Sequence, residues 1–161
     1  MWSDGVVVLR PWRPGDAGAL AAAWADPEIA RWTAVPADRS TEAAARWIAG
    51  WDERRRRGLA LDLVVAPVAA EATVLGEVGA SFVDRPPALG WWVGPDGRGQ
   101  GIAIRAVRLF VASLLAAGSV TELVADVDAA NPASVAVARH AGFEPTAQPG
   151  RYVLRRPPSA N

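Results

Sequence analysis

Apolar positions follow two patterns along this chain. Short runs of apolar and β-branched residues, bounded by glycine, proline or polar clusters, predict strands. Longer segments with an apolar residue at every third or fourth position predict helices. The short runs predict seven strands, at residues 6–9, 59–65, 73–83, 88–93, 123–127, 143–145 and 152–154.

The helical pattern occupies the segments between these strands. It predicts helices at residues 14–25, 27–32, 41–57, 102–116 and 132–141. The third of these is amphipathic, because Ala44, Trp47 and Trp51 share one face. We expect it to run unbroken through the arginines at 54–57 and to stop at Gly58, a favourable residue for a helix C-terminus.

The order of these elements predicts the fold class. Hairpins in the middle of the chain, together with crossover helices in its second half, indicate an α/β (α+β) domain with a mixed, mostly antiparallel sheet of six to seven strands and helices on both faces. No linker, repeat or low-complexity stretch interrupts the pattern. We therefore predict a single domain over residues 1–156 and a disordered tail over residues 157–161.

Composition narrows the chemistry. All 17 basic residues are arginines, which excludes a Schiff-base lysine and a P-loop lysine, and the absence of cysteine excludes disulfides, thiolate metal sites and a cysteine nucleophile. The formal net charge is zero, so nothing indicates nucleic acid or an anionic membrane as a partner. Met1 is not followed by the basic and apolar regions of a signal peptide, and we expect a cytoplasmic protein.

A glycine-rich segment at residues 97–103 separates the strand at 88–93 from the helix at 102–116. Glycines at alternate positions allow a tight turn and a close approach of backbone N–H groups to a ligand. The helix that follows offers unpaired N–H groups and the positive end of its dipole, while Arg98 adds a charge. The segment predicts a pyrophosphate site.

Two common phosphate motifs do not fit this segment. A P-loop requires lysine, which is absent. A dinucleotide fingerprint requires a glycine or alanine at its last position, where this chain has Ile102 or Ile104. A plain strand-to-helix turn without a ligand remains an alternative for the glycines alone.

The segment Arg98-Gly-Gln-Gly101-Ile-Ala103 resembles the R/Q-x-x-G-x-G/A signature of the GNAT N-acetyltransferase superfamily. Asn131-Pro-Ala-Ser134, followed by Gly142-Phe143, resembles the second motif of that superfamily. The opening segment 9–12 with Asp16 is similar to its ribosomal-protein N-terminal acetyltransferase branch. This resemblance spans residues 6–154 and implies a GNAT-like sheet in which a splayed strand pair forms the cleft for CoA.

The resemblance also implies which residues contact acetyl-CoA as co-substrate. The loop backbone would hold the pyrophosphate, the strand at 88–93 would pair with the pantetheine amides, Asn131 would contact the CoA arm, and Ser134 would lie near the thioester sulfur. The expected cofactor-binding residues are Trp91, Trp92, Val93, Arg98, Gly99, Gln100, Gly101, Ile102, Ala103, Asn131 and Ser134. No metal is expected.

Acetyl transfer needs a base for the amine and an acid for the departing thiolate. Relatives often place a tyrosine acid where this chain has Ala138, which leaves Ser134 as the candidate acid. Glu77 is the candidate base, because strand alternation separates it from the apolar face of Val74 and Val78. Asp62, Asp84 and a water relay are the alternatives for the base.

We therefore predict an acetyl-CoA-dependent N-acetyltransferase that acts on a primary amine. The acceptor is a protein N-terminus, with a small-molecule amine or an antibiotic as the second interpretation, and Trp32, Trp91 and Trp92 are candidates for lining its pocket. A homodimer is left open. Because several acidic residues common in the family are missing here, a CoA-binding sensor or interaction domain without catalysis is the alternative function.

Overall fold

The computed structural model describes residues 1–118 and 120–156, so the predicted tail at 157–161 lies outside the described residues. Eight strands form one open sheet in the order β1-β2-β3-β4-β5-β6-β8-β7. The strands are β1 (Trp2–Ser3), β2 (Val7–Arg10), β3 (Ala60–Pro67), β4 (Gly76–Ser81), β5 (Ala88–Val93), β6 (Glu122–Asp126), β7 (Glu144–Pro145) and β8 (Arg151–Arg155). The α-helices are α1 (Ala17–Ala25), α2 (Pro27–Trp32), α3 (Thr41–Ala49), α4 (Trp51–Arg56), α5 (Ile102–Ala116) and α6 (Pro132–His140).

The sheet is mixed and mostly antiparallel, as the pattern predicts, but its strand count is eight rather than six or seven. The additional strand, β1, comprises only Trp2 and Ser3, which pair with β2. A two-residue strand leaves no alternation to detect, so it has no signal in the sequence. Its formation is explained by packing, because the ring of Trp2 makes an edge contact with that of Phe110 in α5 at 5.8 Å.

Strands β5 and β6 are the only parallel neighbours among the described residues, and they pair at one end alone. Their register contains one bridge, Ala88 with Val124, reinforced by a 2.9 Å hydrogen bond from the amide of Val124 to the carbonyl of Pro87. From Leu89 to Val93 no strand of residues 1–118 and 120–156 pairs with the outer side of β5. The predicted splayed pair is therefore present, and a cleft opens in the sheet beside β5.

Helices cover both faces of the sheet. α5 packs on one face, against β1, β2, β4 and β5. The opposite face carries Glu77, and there Trp47 of α3 packs against Trp12 with 5.8 Å between ring centroids. None of the helices within residues 1–118 and 120–156 has the length and apolar content needed to cross a membrane.

The helix expected to run unbroken to Gly58 is instead two helices, α3 and α4, which meet at Gly50. The guanidinium of Arg54 folds back over this glycine, and its Nη1 donates to the carbonyl of Trp47 at 3.1 Å. A Cβ on Gly50 would lie only 2.8 Å from that nitrogen. The interruption thus accommodates Arg54, whereas Gly58 does end α4 with a φ of +64°.

An ion pair in the core joins β2 to the segment that precedes α1. Arg10, with no exposed surface, donates from Nη1 and Nη2 to the carboxylate of Asp16 at 2.7 and 2.9 Å. Its Nε donates to the carbonyl of Glu71 at 2.7 Å, and Asp16 also accepts from the amide of Arg13. Because each charge has several hydrogen-bond partners, the pair tolerates full burial.

We expect Arg10→Met to lower the free energy of unfolding by about 3–5 kcal/mol, because it leaves the Asp16 carboxylate buried without its counter-ion. Urea denaturation measures this change. Arg46→Met is the matched control: that side chain is 69% exposed in its pair with Asp38, and we expect a loss below about 1 kcal/mol. Equal losses in the two variants would contradict this account.

Candidate active site

The glycine-rich segment forms the turn expected of an anion site. After a short turn at Pro95–Gly97, Gly99 and Gly101 each adopt a φ of +72°, and α5 begins directly after them. The backbone N–H groups of residues 99–104 donate to no acceptor within the part of the chain that the structure describes. These amides, at the positive end of the helix dipole, are available to a phosphate.

The side chain of Arg98 forms an ion pair next to the loop. Its guanidinium donates to Asp26 at 2.5 Å, and Asp26 also accepts from the amide of Ile29 at the start of α2. The hydrogen bond from Arg98, acting against desolvation, lowers the pKa of Asp26 below its usual value. Sequence reasoning missed Asp26, which lies 72 positions away from Arg98.

A cavity of about 400 Å³ extends from this loop along the cleft. It brings together nearly all of the predicted acetyl-CoA contacts. Those that line it are Trp91, Trp92, Val93, Arg98, Gly99, Gly101, Ile102, Ala103, Asn131 and Ser134. Gln100 is the exception, because its side chain turns back and donates to the carbonyl of Asp96 at 2.7 Å.

Asn131 and Ser134 form a hydrogen-bonded pair at the start of α6. The side-chain Oδ1 of Asn131 accepts from the Ser134 amide, and the Nδ2 of Asn131 donates to the Ser134 Oγ, both at 3.1 Å. Asn131 therefore caps the helix and fixes the hydroxyl of Ser134 as an acceptor. The hydroxyl proton of Ser134 remains available for donation into the cleft. The alternative position for an acid, Ala138, is buried.

A second cavity, of about 700 Å³, opens on the sheet face that carries Glu77. Thr33 and Trp91 line both this cavity and the first. They also line a third cavity of about 260 Å³, which Ser134 borders as well. The three cavities are thus neighbours, and together they extend from the glycine loop to Glu77. Of the predicted aromatic residues, Trp91 and Trp92 line the second cavity; Trp32 lines the other two.

Glu77 lies partly buried between two indole rings. Trp12 donates from Nε1 to one carboxylate oxygen at 3.0 Å, and Trp92 donates to the other at 3.2 Å. Burial, and then the nearby charge of Asp62, raise the pKa of Glu77 to about 8, although the two indole hydrogen bonds oppose the shift. A carboxyl group with this pKa is suited to accepting and releasing protons near neutral pH.

The other candidate bases differ in position. Asp62 lies on β3 and lines the same cavity as Glu77, and desolvation raises its pKa despite the opposing charge of Arg54. Asp84 lies between β4 and β5 and borders none of the three neighbouring cavities. The structure therefore brings Asp62 and Glu77 together and leaves Asp84 apart.

Comparisons with known proteins are consistent with this architecture. Residues 7–144 match the family described as "Acetyltransferase (GNAT) domain", while a sequence search of curated proteins found no match. RimJ of Mycobacterium smegmatis, solved with CoA-disulfide, is 21% identical, covers 94% of this chain and 82% of its own, and has a TM-score of 0.80.

Two further solved structures are similar along their whole length. The ribosomal L7/L12 alpha-N-protein acetyltransferase RimL, in complex with coenzyme A, is 19% identical, covers 96% of both chains and has a TM-score of 0.78. The microcin C7 self-immunity acetyltransferase MccE, with acetyl-CoA and AMP, is 18% identical over 96% of this chain and 94% of its own, also with a TM-score of 0.78. These likenesses establish a shared fold.

The raised pKa of Glu77 predicts a pH dependence of stability. At pH values between the ordinary glutamate pKa of 4.5 and the pKa of about 8 in the folded protein, Glu77 holds a proton that the unfolded state releases. The free energy of unfolding should therefore fall by up to about 1.4 kcal/mol per pH unit as the pH rises through this range. Urea denaturation from pH 5 to 9 measures the slope.

Glu77→Gln removes the titrating group and should flatten that slope. The variant also loses one indole hydrogen bond, which shifts its stability by an amount that does not depend on pH. Glu53→Gln, on the exposed surface of α4, is the control and should retain the wild-type slope. A Glu77→Gln slope as steep as that of wild type would show that this carboxyl titrates normally.

Proposed function

The chain belongs to the GNAT acetyltransferase family, and from that premise we propose that it is an acetyl-CoA-dependent N-acetyltransferase acting on a primary amine. One observation carries the proposal. Neighbouring cavities that share Thr33 and Trp91 have unpaired amides suited to a pyrophosphate at one end and a half-buried carboxyl group suited to a base at the other.

The residues present fit acetyl-CoA. The amides of residues 99–104 would hold the pyrophosphate, because they lack acceptors within the described chain. The outer side of β5 beyond Ala88 would pair with the amides of the pantetheine arm, since no strand of the described residues pairs with it there. When bound, acetyl-CoA supplies the activated acetyl group as a thioester.

Glu77 would act as the base. An acceptor amine arrives mostly as an ammonium ion, and its positive charge favours the ionised form of the adjacent Glu77 carboxyl. The carboxylate takes a proton from nitrogen, and the freed lone pair attacks the thioester carbonyl carbon. The carbon–sulfur bond then breaks as the carbon–nitrogen bond is completed. The amide nitrogen releases its second proton to solvent, and Glu77 returns its own proton to solvent.

Ser134 would act as the acid. Asn131 holds its oxygen from behind, so the hydroxyl proton points away from Asn131 and can pass to the departing thiolate. The serine then regains a proton from solvent. This assignment makes Asn131 a positioning residue, rather than the direct CoA contact that the resemblance implies.

Protein N-termini are our first choice of acceptor, and a cytoplasmic location accompanies that choice. The support is the fold shared with RimL, which is described as a ribosomal L7/L12 alpha-N-protein acetyltransferase. The alternative is a CoA-binding sensor without catalysis, which the missing family residues favour: this chain has Leu89, Ile104, Arg105 and Ala138 where many relatives carry glutamates, threonine or tyrosine.

Acetyl-CoA should raise the melting temperature of the protein, because a ligand that binds only the folded state stabilises it. Acetyl-pantetheine lacks the phosphates and should produce a much smaller shift, since it leaves the glycine loop unfilled. Thermal denaturation with each compound at equal concentration measures the difference. Equal shifts would refute the phosphate role of the loop, and no shift with either would refute the proposed function.

Thiol release with amines and N-terminal peptides separates an enzyme from a sensor. Ser134→Ala should lower kcat by about 10²-fold or more while leaving acetyl-CoA affinity unchanged, because it removes a proton donor and no phosphate contact. Ser113→Ala, in α5 and outside the cavities, is the control. Full kcat in the Ser134→Ala variant would exclude this serine as the acid.

A further inference from the structure

Asp62 has a position in the acceptor cavity that the proposed mechanism does not use. In the sheet it lies opposite Gly79, which in turn lies opposite Gly90 of β5. Paired positions in a sheet project to the same face, so Asp62 and the two glycines form a row across it. This row has no side chain between the Asp62 carboxylate and the edge of β5 where the cleft opens.

The two glycines preserve this space. A Cβ on Gly79 would overlap Oδ1 of Asp62, so the carboxylate occupies the position that any other residue would fill. At Gly90 a Cβ would meet no atom within 4 Å, which marks the end of the row next to the cleft as open space. Asp62 therefore faces the cavity over a bare stretch of backbone.

The Asp62 carboxylate lacks a hydrogen-bond donor within residues 1–118 and 120–156. Its backbone carbonyl accepts from the indole of Trp51, but that bond does not involve the carboxylate. The nearby cation, Arg54, stacks instead over the ring of Trp47 at 4.3 Å and donates to its carbonyl. A half-buried carboxylate without a donor is costly unless a ligand supplies one.

The rest of the cavity indicates the nature of that ligand. Its lining is aromatic and aliphatic, and among the described residues it includes no arginine or histidine. The apolar side chains are Leu20, Trp24, Ile29, Val35, Pro36, Trp47, Leu89, Trp91 and Trp92. Such a cavity favours an uncharged apolar body, and no cation among the described residues lines it to pair with an anion.

We propose that Asp62 binds the ammonium group of the acceptor beside Glu77, and that this cavity selects a primary amine carried on an apolar body without a carboxylate nearby. The inference rests on the proposed function and names its substrate class. Asp62 and Glu77 occupy diagonal positions on one face of neighbouring strands, where backbones are typically about 7–8 Å apart, so one ammonium can donate to both carboxyl groups.

A matched pair of amines tests the selection. 2-Phenylethylamine and phenylalanine share the ring and the amine and differ by one carboxylate. At saturating acetyl-CoA we expect kcat/KM for phenylethylamine to exceed that for phenylalanine by at least about tenfold, because the carboxylate meets two carboxyl groups and no cation. Comparable values, or a preference for phenylalanine, would overturn the proposal.

Two further compounds distinguish the source of the amine. Phenylalaninamide lacks the charge of the carboxylate but keeps its bulk. Its kcat/KM should therefore be close to that of phenylethylamine. A short peptide with N-terminal phenylalanine that exceeds both small amines would identify the acceptor as a polypeptide N-terminus. The reverse order would identify a free amine. In both cases the cavity should prefer an amine without a carboxylate nearby.

The variant Asp62→Asn tests the residue itself. It should raise KM for phenylethylamine at least about tenfold, while the Kd for acetyl-CoA stays unchanged, because a neutral amide attracts an ammonium far less than a carboxylate does. The melting temperature should stay the same or rise, since an unpaired charge has been removed. A merely structural role predicts the opposite, namely a lower melting temperature with an unchanged KM.

One control and one further test accompany the Asp62→Asn variant. Asp52→Asn removes an exposed carboxylate on α4 that pairs with Arg55 and Arg56, and should leave KM unchanged. Gly90→Ala places a methyl group in the open end of the row without a clash, and should lower kcat/KM for phenylethylamine while the protein stays folded. An unchanged KM in the Asp62→Asn variant would overturn the proposal.

A binding measurement separates failure of this inference from failure of the proposed function. Four tryptophans line the cavity, so phenylethylamine should change their fluorescence, with a weaker affinity in the Asp62→Asn variant. Absence of thiol release with every amine would refute the proposed function, yet this titration would still decide the role of Asp62. Equal affinities in the two proteins would overturn that role.

Discussion

The separation of β5 from β6 is the constraint on which the site depends. The two strands share one bridge at Ala88 and Val124 and then diverge, which leaves the side of β5 that faces β6 without a strand partner among the described residues. Unpaired peptide groups in a folded domain are costly unless a ligand or water pairs with them. An extended polar ligand beside β5 would therefore stabilise the fold by pairing with these groups. The glycine turn after Val93 places further unpaired amides at the end of this strand.

The two ends of this cleft have opposite electrostatic character. The glycine loop presents the positive end of the α5 dipole, whereas the far cavity presents the carboxyl groups of Asp62 and Glu77. A phosphate-bearing donor and an ammonium acceptor are thereby attracted to different ends and meet in the middle, where Thr33 and Trp91 line every compartment. Orientation of two reactants in this way supplies much of the rate of a direct transfer.

The features of the fold and the site that the sequence could predict are those determined by neighbouring residues in the chain. The glycine loop, the helix cap at Asn131 and the face on which Glu77 lies were predictable, because each follows from the order of neighbouring residues. The indole of Trp12 donates to Glu77 across 65 positions. Such a contact exists only through the pairing of β2, β3 and β4, so no local pattern reveals it. Strand β1 and the break at Gly50 were missed for a similar reason, since packing against Phe110 and Arg54 determines them.

A fully buried ion pair and a partly buried pair of carboxyl groups differ in what they contribute to stability. Arg10 and Asp16 are buried with a full set of hydrogen bonds, and their ion pair joins β2 to the segment that starts α1. Asp62 and Glu77 lie on a face of the same sheet, yet burial raises the pKa of both, and the Asp62 carboxylate has no donor among the described residues. A structure selected for stability alone would replace them with apolar residues that match the surrounding tryptophans. Their retention in an otherwise consistent core is therefore best explained by a ligand that brings the missing positive charge.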